Sequence, residues 1–408
     1  MNESALTLDR KNGCAAGRPL LNEGAISLRT RPVDARWLEP VAEAARGAGE
    51  RALEHFLAAG FARIEPAILH PASIFLDMSG EAIRGRLFLT SGASGEELCL
   101  RPEYTIPVCR AYLASSELGR VAQFCYLGPV FRAHVEGGER AQTGLESFGR
   151  QDAEAADAEV FALAMEAAAE AGGPLRAGLG DAALFEGVLT SLALPEVWRR
   201  RLRRGVAHGK SLSAILDGRG QSVLAQPGVL AAMESADHAG ARALVEDLLA
   251  IAGIDAIGGR TASEIADRFL EQAAMRSGGP VESEKRQALD AFLAISGDPD
   301  EAAAKLRRLA ADAGLRLDRA LDAFELRNRF IAARGVRIEE ARFSAAFVRD
   351  FEYYTGFVFE AADPTIPGAK PALSGGRYDG LLRRLGAQGD IPAVGAAIAL
   401  DRLTPQAS

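Results

Sequence analysis

The feature that most constrains the fold is an interruption of the strand pattern. Between about residues 184 and 333, the 408-residue chain has helix-forming segments separated by glycine-rich breaks and almost no strand pattern. On both sides of this stretch, short apolar runs alternate with turn residues, as is typical of strands. The strand-like runs cover residues 88–90, 97–100, 121–131, 144–149, 345–349, 356–361 and 375–378. We therefore predict an α+β fold, in which an antiparallel sheet flanked by helices is interrupted by a helical insertion.

Helical patterns accompany the predicted sheet. Residues 35–60 are rich in Ala, Leu and Glu, and Leu53, Phe56 and Leu57 recur at helical spacing, which predicts a helix with these residues on its packed face. Residues 155–171 form a second helical pattern that ends at a Gly-Gly-Pro stop. A Gly-containing loop at 136–139 predicts a long antiparallel hairpin between the strands before and after it.

Composition argues against several classes of function. The net charge of -8 and the pI of about 5.4 argue against a large nucleic-acid surface, which is usually basic. Five arginines at 199–204 are predicted to form a solvated helix face, with a local binding patch as the alternative. No run of about 18 apolar residues could span a membrane. The cysteines, which lack CxxC spacing and indicate reduced cytoplasmic thiols, are Cys14, Cys99, Cys109 and Cys125. We expect no metal and no cofactor.

Several segments, taken in order, carry a resemblance to a known family. They are residues 100–105 (LRPEYT), 126–132 (YLGPVFR), 142–146 (QTGLE), 348–354 (VRDFEYY), 375–379 (GGRYD) and 393–403 (AVGAAIALDRL). Their order and approximate spacing resemble the motifs of histidyl-tRNA synthetases, which belong to the class II aminoacyl-tRNA synthetases. Residues 66–71 resemble motif 1, the dimer-forming element, which implies a homodimer.

The resemblance implies a class II synthetase-like sheet and divides the chain. The predicted parts are a flexible N-terminal arm (1–34), the first part of a synthetase-like core (35–189), a helical insertion (190–333) and the second part of the core (334–408). In histidyl-tRNA synthetases an anticodon-binding domain follows the last motif. Only five residues follow Leu403 here, so we expect no anticodon-binding domain and no tRNA partner.

The polar residues of the motifs suit a free amino acid with an imidazole side chain. Its ammonium needs carboxylate or other oxygen acceptors, its imidazole needs a donor or acceptor, and its carboxylate needs an Arg. Together with the roles that the family resemblance implies, this predicts a histidine-binding set. Its members are Glu103, Thr105, Arg132, Gln142, Glu146, Arg349, Tyr354 and Tyr378. Taken singly, each of these residues is as well explained by hydrogen bonds within a sheet.

The sequence also departs from the synthetase pattern at positions that serve catalysis. Synthetases of this class end motif 2 with Arg-x-Glu, whereas this chain has Arg132, Ala133 and His134. The next loop is acidic rather than Arg-rich, which disfavours phosphates. A Gly of motif 3 is replaced by Ala399, although Arg402 is kept. Because adenylate formation needs these charge partners together, we expect no catalytic residues.

The whole pattern resembles the family of ATP phosphoribosyltransferase regulatory subunits. That family is similar to the synthetase core, lacks the anticodon domain, assembles with a short-form catalytic phosphoribosyltransferase and is implicated in its feedback inhibition by L-histidine. The resemblance implies a non-catalytic subunit of the first step of histidine biosynthesis, located in the cytoplasm, with L-histidine as effector. Two alternatives stay open: a truncated histidine-adenylating enzyme, and a dimeric scaffold with a vestigial pocket.

Overall fold

The computed structural model describes residues 43–79, 81–135, 137–172, 174–217, 243, 247, 256–257, 260–261, 281–348 and 354–403. The predicted N-terminal arm and Arg349 lie outside these residues. The α-helices of the described residues are α1 (Glu43–Ala58), α2 (Ala72–Ser79), α3 (Thr105–Leu113), α4 (Ala153–Gly172), α5 (Ala182–Ser191), α6 (Glu196–Ala207), α7 (Leu212–Asp217), α8 (Ser283–Leu293), α9 (Pro299–Asp312), α10 (Asp318–Ala333) and α11 (Leu381–Arg384). Short 3-10 helices cover Glu81–Arg86, Ile338–Glu340 and Leu400–Arg402.

The strands belong to one large sheet and two small ones. They are β1 (Ala62–Arg63), β2 (Leu69–Pro71), β3 (Leu89–Ser91), β4 (Glu97–Leu100), β5 (Ala122–Phe131), β6 (Glu139–Phe148), β7 (Arg176–Asp181), β8 (Ala256–Ile257), β9 (Arg260–Thr261), β10 (Ser296–Gly297), β11 (Arg342–Ser344), β12 (Phe357–Ala362), β13 (Leu373–Arg377) and β14 (Ala393–Ala399). The large sheet has the order β1-β5-β6-β14-β13-β12-β7-β11-β10. Its pairs are antiparallel except β1 with β5 and β7 with β11. The predicted α+β class, a largely antiparallel sheet flanked by helices, is confirmed.

The hairpin of β5 and β6 forms the centre of the site. Its loop turns at Gly137 and Gly138, whose φ angles of 75° and 72° lie in the left-handed region that favours glycine. The N–H of Arg132 donates to the carbonyl of Gly138 at 2.7 Å and closes the turn. On β6, Gln142 and Glu146 are separated by four residues and therefore share one face of the sheet.

The two faces of the sheet pack against different helices. On one face, α1 and α4 cover a core in which the Phe161 ring meets the rings of Phe357 and Phe359 edge-on at 5.8 and 5.0 Å. On the other face, α2, α3 and α11 cover a second cluster, where Tyr112 stacks on Phe148 at 4.8 Å. Glu146 is on this second face. Tyr126 packs there, and its partner across the hairpin is Gly144, which lies two residues before Glu146 and so shares its face.

Two local predictions were wrong. The strand expected at 345–349 lies three residues earlier, as β11, and the N–H of Phe347 then donates to the carbonyl of Ser344 in a turn. After this turn the Phe347 carbonyl lies close to Gly180, and a Cβ added there would overlap it. Leu57 is 43% exposed rather than packed. The packed face of α1 consists largely of small residues, which let helices approach closely: Ala45, Ala48 and Ala52.

The predicted insertion is not separate from the core over its last part. Helices α8, α9 and α10 share the larger hydrophobic cluster with α4, and β10 joins the edge of the large sheet. Its boundaries at 190 and 333 stay a prediction. Within the predicted solvated face of α6, Arg203 pairs with Glu186 and Glu196, which offsets part of its positive charge. Of the helices that the structure describes, none combines the length and apolar character needed to cross a bilayer.

Candidate functional site

A pocket opens on the α3 side of the large sheet, where the predicted ligand-binding residues converge. It encloses about 1070 Å³, including space that is open to solvent. Six of the eight predicted residues line it: Glu103, Thr105, Arg132, Gln142, Tyr354 and Tyr378. A seventh, Glu146, is hydrogen-bonded to two of them. The eighth, Arg349, lies outside the described residues.

Glu146 forms the buried floor beside the pocket. Its side chain is fully buried, accepts a hydrogen bond from Thr105 Oγ1 at 2.8 Å and accepts another from the Tyr378 hydroxyl. The pKa of this carboxyl is raised to about 8, chiefly by burial and also by the nearby Glu103, while the two hydroxyl donors act to lower it. The carboxyl is therefore held by neutral groups, and it gains a strong partner from any cation or N–H donor that reaches it.

Gly395 leaves the space that the Glu146 carboxyl occupies. It pairs with Glu146 across β14 and β6, and a Cβ at this position would overlap Glu146 Oε2. Gly144, also on the pocket face of β6, lies against the Tyr126 hydroxyl in the same way. The small residues of QTGLE and AVGAA thus explain how a carboxyl fits inside the sheet surface.

Glu103 supplies a second carboxyl at the first turn of α3. It accepts hydrogen bonds from the backbone N–H groups of Thr105 at 2.5 Å and Ile106 at 3.0 Å, so it satisfies two donors that the helix leaves open. Burial raises its pKa to about 7, while these N–H groups and Arg132 act in the opposite direction. Glu103 is thus both a structural cap and an acceptor that lines the pocket.

Two buried oxygen atoms at the site have no hydrogen-bond partner among the described residues. They are Gln142 Oε1 and the hydroxyl of Tyr126. Buried polar atoms are normally paired, so both are candidates for contact with a ligand. Sequence reasoning did not select Tyr126. The signal was available, because Tyr126 lies opposite Gly144 in the hairpin and so shares the pocket face with Gln142 and Glu146.

A buried arginine that the sequence reasoning also missed supports this floor. Arg101 is 2% exposed and donates to the carbonyls of Pro66 and Pro129 at 2.6 and 2.9 Å and to the Tyr104 hydroxyl at 2.5 Å. Its guanidinium lies 4.1 Å from the centre of the Tyr104 ring. Tyr104 in turn stacks on Tyr126 at 4.2 Å with an interplanar angle of 5°. The LRPEYT motif therefore holds Tyr126 in place.

The rim of the pocket is positively charged. Its charge comes from Arg86, Arg132 and Arg402, and His134 lines the rim beside them. Partial burial, followed by the charges of Arg86, Arg132 and Lys370, lowers the pKa of His134. Arg132 donates through Nε to the Pro102 carbonyl at 3.0 Å, and Arg402 donates to the Pro371 carbonyl at 2.6 Å. Acidic acceptors on the floor and cations at the rim suit a zwitterion whose ammonium and imidazole point inward and whose carboxylate points outward.

Two tyrosines line the pocket from positions beside the strands: Tyr354 shortly precedes β12 and Tyr378 directly follows β13. The Tyr354 ring lies against the backbone of Gly376, close enough that a Cβ there would come within 2.8 Å of the ring. The Tyr378 side chain is 1% exposed, and its N–H donates to the Ala393 carbonyl at 2.8 Å. In the part of the chain that the structure describes, no group of three or more His, Cys, Asp or Glu residues is arranged to hold a metal ion.

Comparison with known proteins identifies the family. Residues 35–250 and 238–403 match the histidyl-tRNA synthetase family. The ATP phosphoribosyltransferase regulatory subunit of Mesorhizobium japonicum is 42% identical over 351 residues, which cover 83% of this chain and 92% of that protein. The protein of the same name from Allorhizobium ampelinum is 39% identical over 358 residues, with coverage of 86% and 95%.

A solved structure agrees at the level of the fold. The ATP phosphoribosyltransferase regulatory subunit/histidyl-tRNA synthetase from Bacillus halodurans superposes with a TM-score of 0.62 at 21% identity, covering 88% of this chain and 78% of that one. The identity is low, so this likeness concerns the fold, whereas the curated relatives share the sequence along most of its length. The chain therefore belongs to the family of ATP phosphoribosyltransferase regulatory subunits, whose fold is that of the class II histidyl-tRNA synthetases.

Proposed function

We propose that this chain is a non-catalytic regulatory subunit of ATP phosphoribosyltransferase, which supports the first step of L-histidine biosynthesis and its feedback control. The names of its relatives support the regulatory role. In this proposal L-histidine binds in the pocket as an effector, and the active partner is a short-form catalytic phosphoribosyltransferase. The complex works in the cytoplasm.

The observation that carries the proposal is the convergence of the predicted residues around two carboxyl groups. Glu146 accepts hydrogen bonds from Thr105 and Tyr378, and the charge of the nearby Glu103 contributes to its raised pKa. The imidazole of histidine would donate to Glu146, and its ammonium would meet Glu103 and Gln142 Oε1. The positive rim at Arg132 would receive the carboxylate.

The same region argues against adenylation. His134 stands where synthetases carry the Glu that contacts adenine, and Ala399 brings a methyl group to the pocket lining. Overpacking by one methyl group costs roughly 1–3 kcal/mol in a tightly packed site. Arg402 still lines the pocket and keeps the histidine-adenylating alternative open to test.

A homodimer is part of the proposal. Residues 66–71, which resemble motif 1, run into β2 of the small sheet β2-β4-β3. Three large apolar side chains are 41–49% exposed here: Leu69 and Leu89 in the sheet, and Ile68 directly before β2. An apolar surface of this kind, on the element that forms dimers in class II synthetases, is suited to a second copy of the chain.

Calorimetry with L-histidine, followed by pyrophosphate exchange with ATP on the same preparation, tests the function. The proposal predicts histidine binding without exchange above background. Exchange above background would establish the adenylating enzyme instead, and absence of binding at millimolar histidine would favour a scaffold with a vestigial pocket. Addition of a short-form phosphoribosyltransferase should then give a complex whose activity falls when histidine is added.

A further inference from the structure

A buried ion network lies directly behind the pocket. Its four innermost members are two carboxylates and two guanidiniums, so their charges balance. Their side chains are only 2–8% exposed: Asp157 on α4, Asp181 at the end of β7, Arg327 on α10 and Arg377 at the end of β13. Breaking such a network from one side leaves a buried charge without its partner, so its members hold each other in place.

The network begins on α10. Arg327 donates to Asp181 Oδ2 at 2.5 Å and lies 3.5 Å from Asp157 Oδ2. Its guanidinium also lies 4.4 Å from the centre of the Phe357 ring, on β12. Asp181 uses its other oxygen to cap α5, accepting from the N–H groups of Ala183 and Leu184. Arg327 therefore connects α10 to α4, α5 and the sheet at one point.

The network continues to the pocket through Arg377. Arg377 donates to Asp157 Oδ1 through Nε at 2.8 Å and to the Ala153 carbonyl at 2.9 Å. On its other side it donates to Asp379 Oδ1 at 2.8 Å. Tyr378, whose hydroxyl donates to Glu146, lies between Arg377 and Asp379 in sequence. The network therefore holds the residues on both sides of this tyrosine.

The second pocket tyrosine depends on the same residues. Thr355, which follows Tyr354, donates its N–H to the Arg377 carbonyl at 2.8 Å. Its hydroxyl accepts from the N–H of Asp379 at 3.1 Å. Asp379 also accepts from the N–H of Ala393, which ties the start of β14 to the same point. Tyr354 and Tyr378 are thus attached to a single hydrogen-bonded unit whose own side chains, Thr355, Arg377 and Asp379, are not among those that line the pocket.

We propose that Arg327, Asp157 and Arg377 position the two pocket tyrosines, so that the fit of the pocket depends on helix α10. These are positioning residues, since they act through the backbone at Thr355 and Asp379. The inference takes its ligand, L-histidine, from the proposed function, but its geometry is independent of that function. A displacement of α10 would then shift Tyr354 and Tyr378 through Asp157 on α4.

Two measurements on the intact chain test this inference: hydrogen–deuterium exchange without ligand, and calorimetry with L-histidine. The test variant is Arg327→Met. The matched control is Arg307→Met. Arg307 lies on α9 and pairs with Glu325 and Asp322 of α10, at the surface rather than in the buried network. Arg327→Lys keeps the charge but loses the forked geometry, and it serves if Arg327→Met does not fold.

The expected result is local. Exchange at Thr355, Asp379 and Ala393 rises at least about tenfold in Arg327→Met and rises less in Arg327→Lys, while β5 and β6 are unchanged. Histidine affinity falls at least about tenfold, which corresponds to about 1.4 kcal/mol, and Arg307→Met changes neither quantity. Unchanged exchange at those three amides, or an equal rise in β5 and β6, would overturn the inference. Failure of the unmodified chain to bind histidine would count against the proposed function alone, because the exchange pattern still decides the positioning.

Discussion

The molecule holds buried carboxyl groups in two neighbouring places, and it treats them differently. Behind the pocket, Asp157 and Asp181 face the guanidiniums of Arg327 and Arg377. On the pocket floor, Glu146 faces only the hydroxyls of Thr105 and Tyr378 among its described hydrogen-bond partners. The chain completes the first group from its own residues and leaves the second with neutral partners. The difference separates a structural use of buried charge from a site suited to a cationic or N–H-donating ligand.

Removing a guanidinium from the network should produce the largest effect. Arg377→Met would leave Asp157 buried without its closest cation, and we expect a loss of about 3–5 kcal/mol in the free energy of unfolding, measured by urea denaturation. Arg307→Met, which removes an exposed pair, should cost at most about 1 kcal/mol. Equal losses in the two variants would remove the distinction between the network and an ordinary surface pair.

Filling the space beside Glu146 should affect stability less and binding strongly. In Gly395→Ala the new methyl group would overlap the Glu146 carboxyl, so that side chain must move. We expect a stability loss of roughly 1–3 kcal/mol and loss of histidine binding in calorimetry. Gly389→Ala is the control, because no atom lies within 4 Å of the added Cβ. Normal binding by Gly395→Ala would show that the position of Glu146 does not matter to the ligand.

Removal of the second carboxyl tests the ammonium end of the pocket. Glu103→Ala should weaken histidine binding about tenfold or more, because a charged hydrogen bond contributes about 1.5–3 kcal/mol. It should also cost about 1 kcal/mol of stability, because two N–H groups of α3 lose their acceptor. Glu103→Gln keeps an acceptor for α3 and separates the two effects. Unchanged affinity in both variants would place the ammonium elsewhere.

The last prediction concerns the dependence of stability on pH. Burial raises the pKa of Glu146 to about 8, so between the ordinary value near 4.5 and that value the unfolded chain has lost a proton that the folded chain keeps. Stability should therefore fall as the pH rises from about 5 to 8. In Glu146→Gln the fall should be shallower, by at most about 1.4 kcal/mol per pH unit for the one proton that is removed. Parallel curves for the two proteins would contradict the raised pKa.

The sequence predicted the elements that carry strong local patterns. The β5–β6 hairpin, its glycine turn and α4 lie within a few residues of their predicted bounds, because period-two alternation, paired glycines and an alanine-rich run are local signals. The strand at 345–349 was misplaced, since β11 pairs at residues 342 and 343 with β7, which lies far away in sequence. Leu57 was misassigned because helical spacing does not show where the packed face of α1 ends, whereas Leu53 and Phe56 of the same predicted face are buried.

The site shows the same division. Motif resemblance selected the residues that line the pocket, but it did not reveal that Tyr126 is held by Arg101 and Tyr104, or that Arg327 reaches Asp157. These contacts join residues on different elements, and no sequence spacing indicates them. The distinction between buried carboxyls that face guanidiniums and the one that faces neutral hydroxyls therefore came only from the structure.

The most direct test of the account is calorimetric titration of the intact chain with L-histidine, beside Glu146→Gln and the exposed control Glu139→Gln. If Glu146 receives the imidazole, the unmodified chain and Glu139→Gln will bind histidine with the same affinity. Glu146→Gln, which keeps the shape but cannot ionise to pair with the imidazole, will bind at least about tenfold more weakly. Equal affinity in all three proteins would contradict the central claim that this buried carboxyl recognises the ligand.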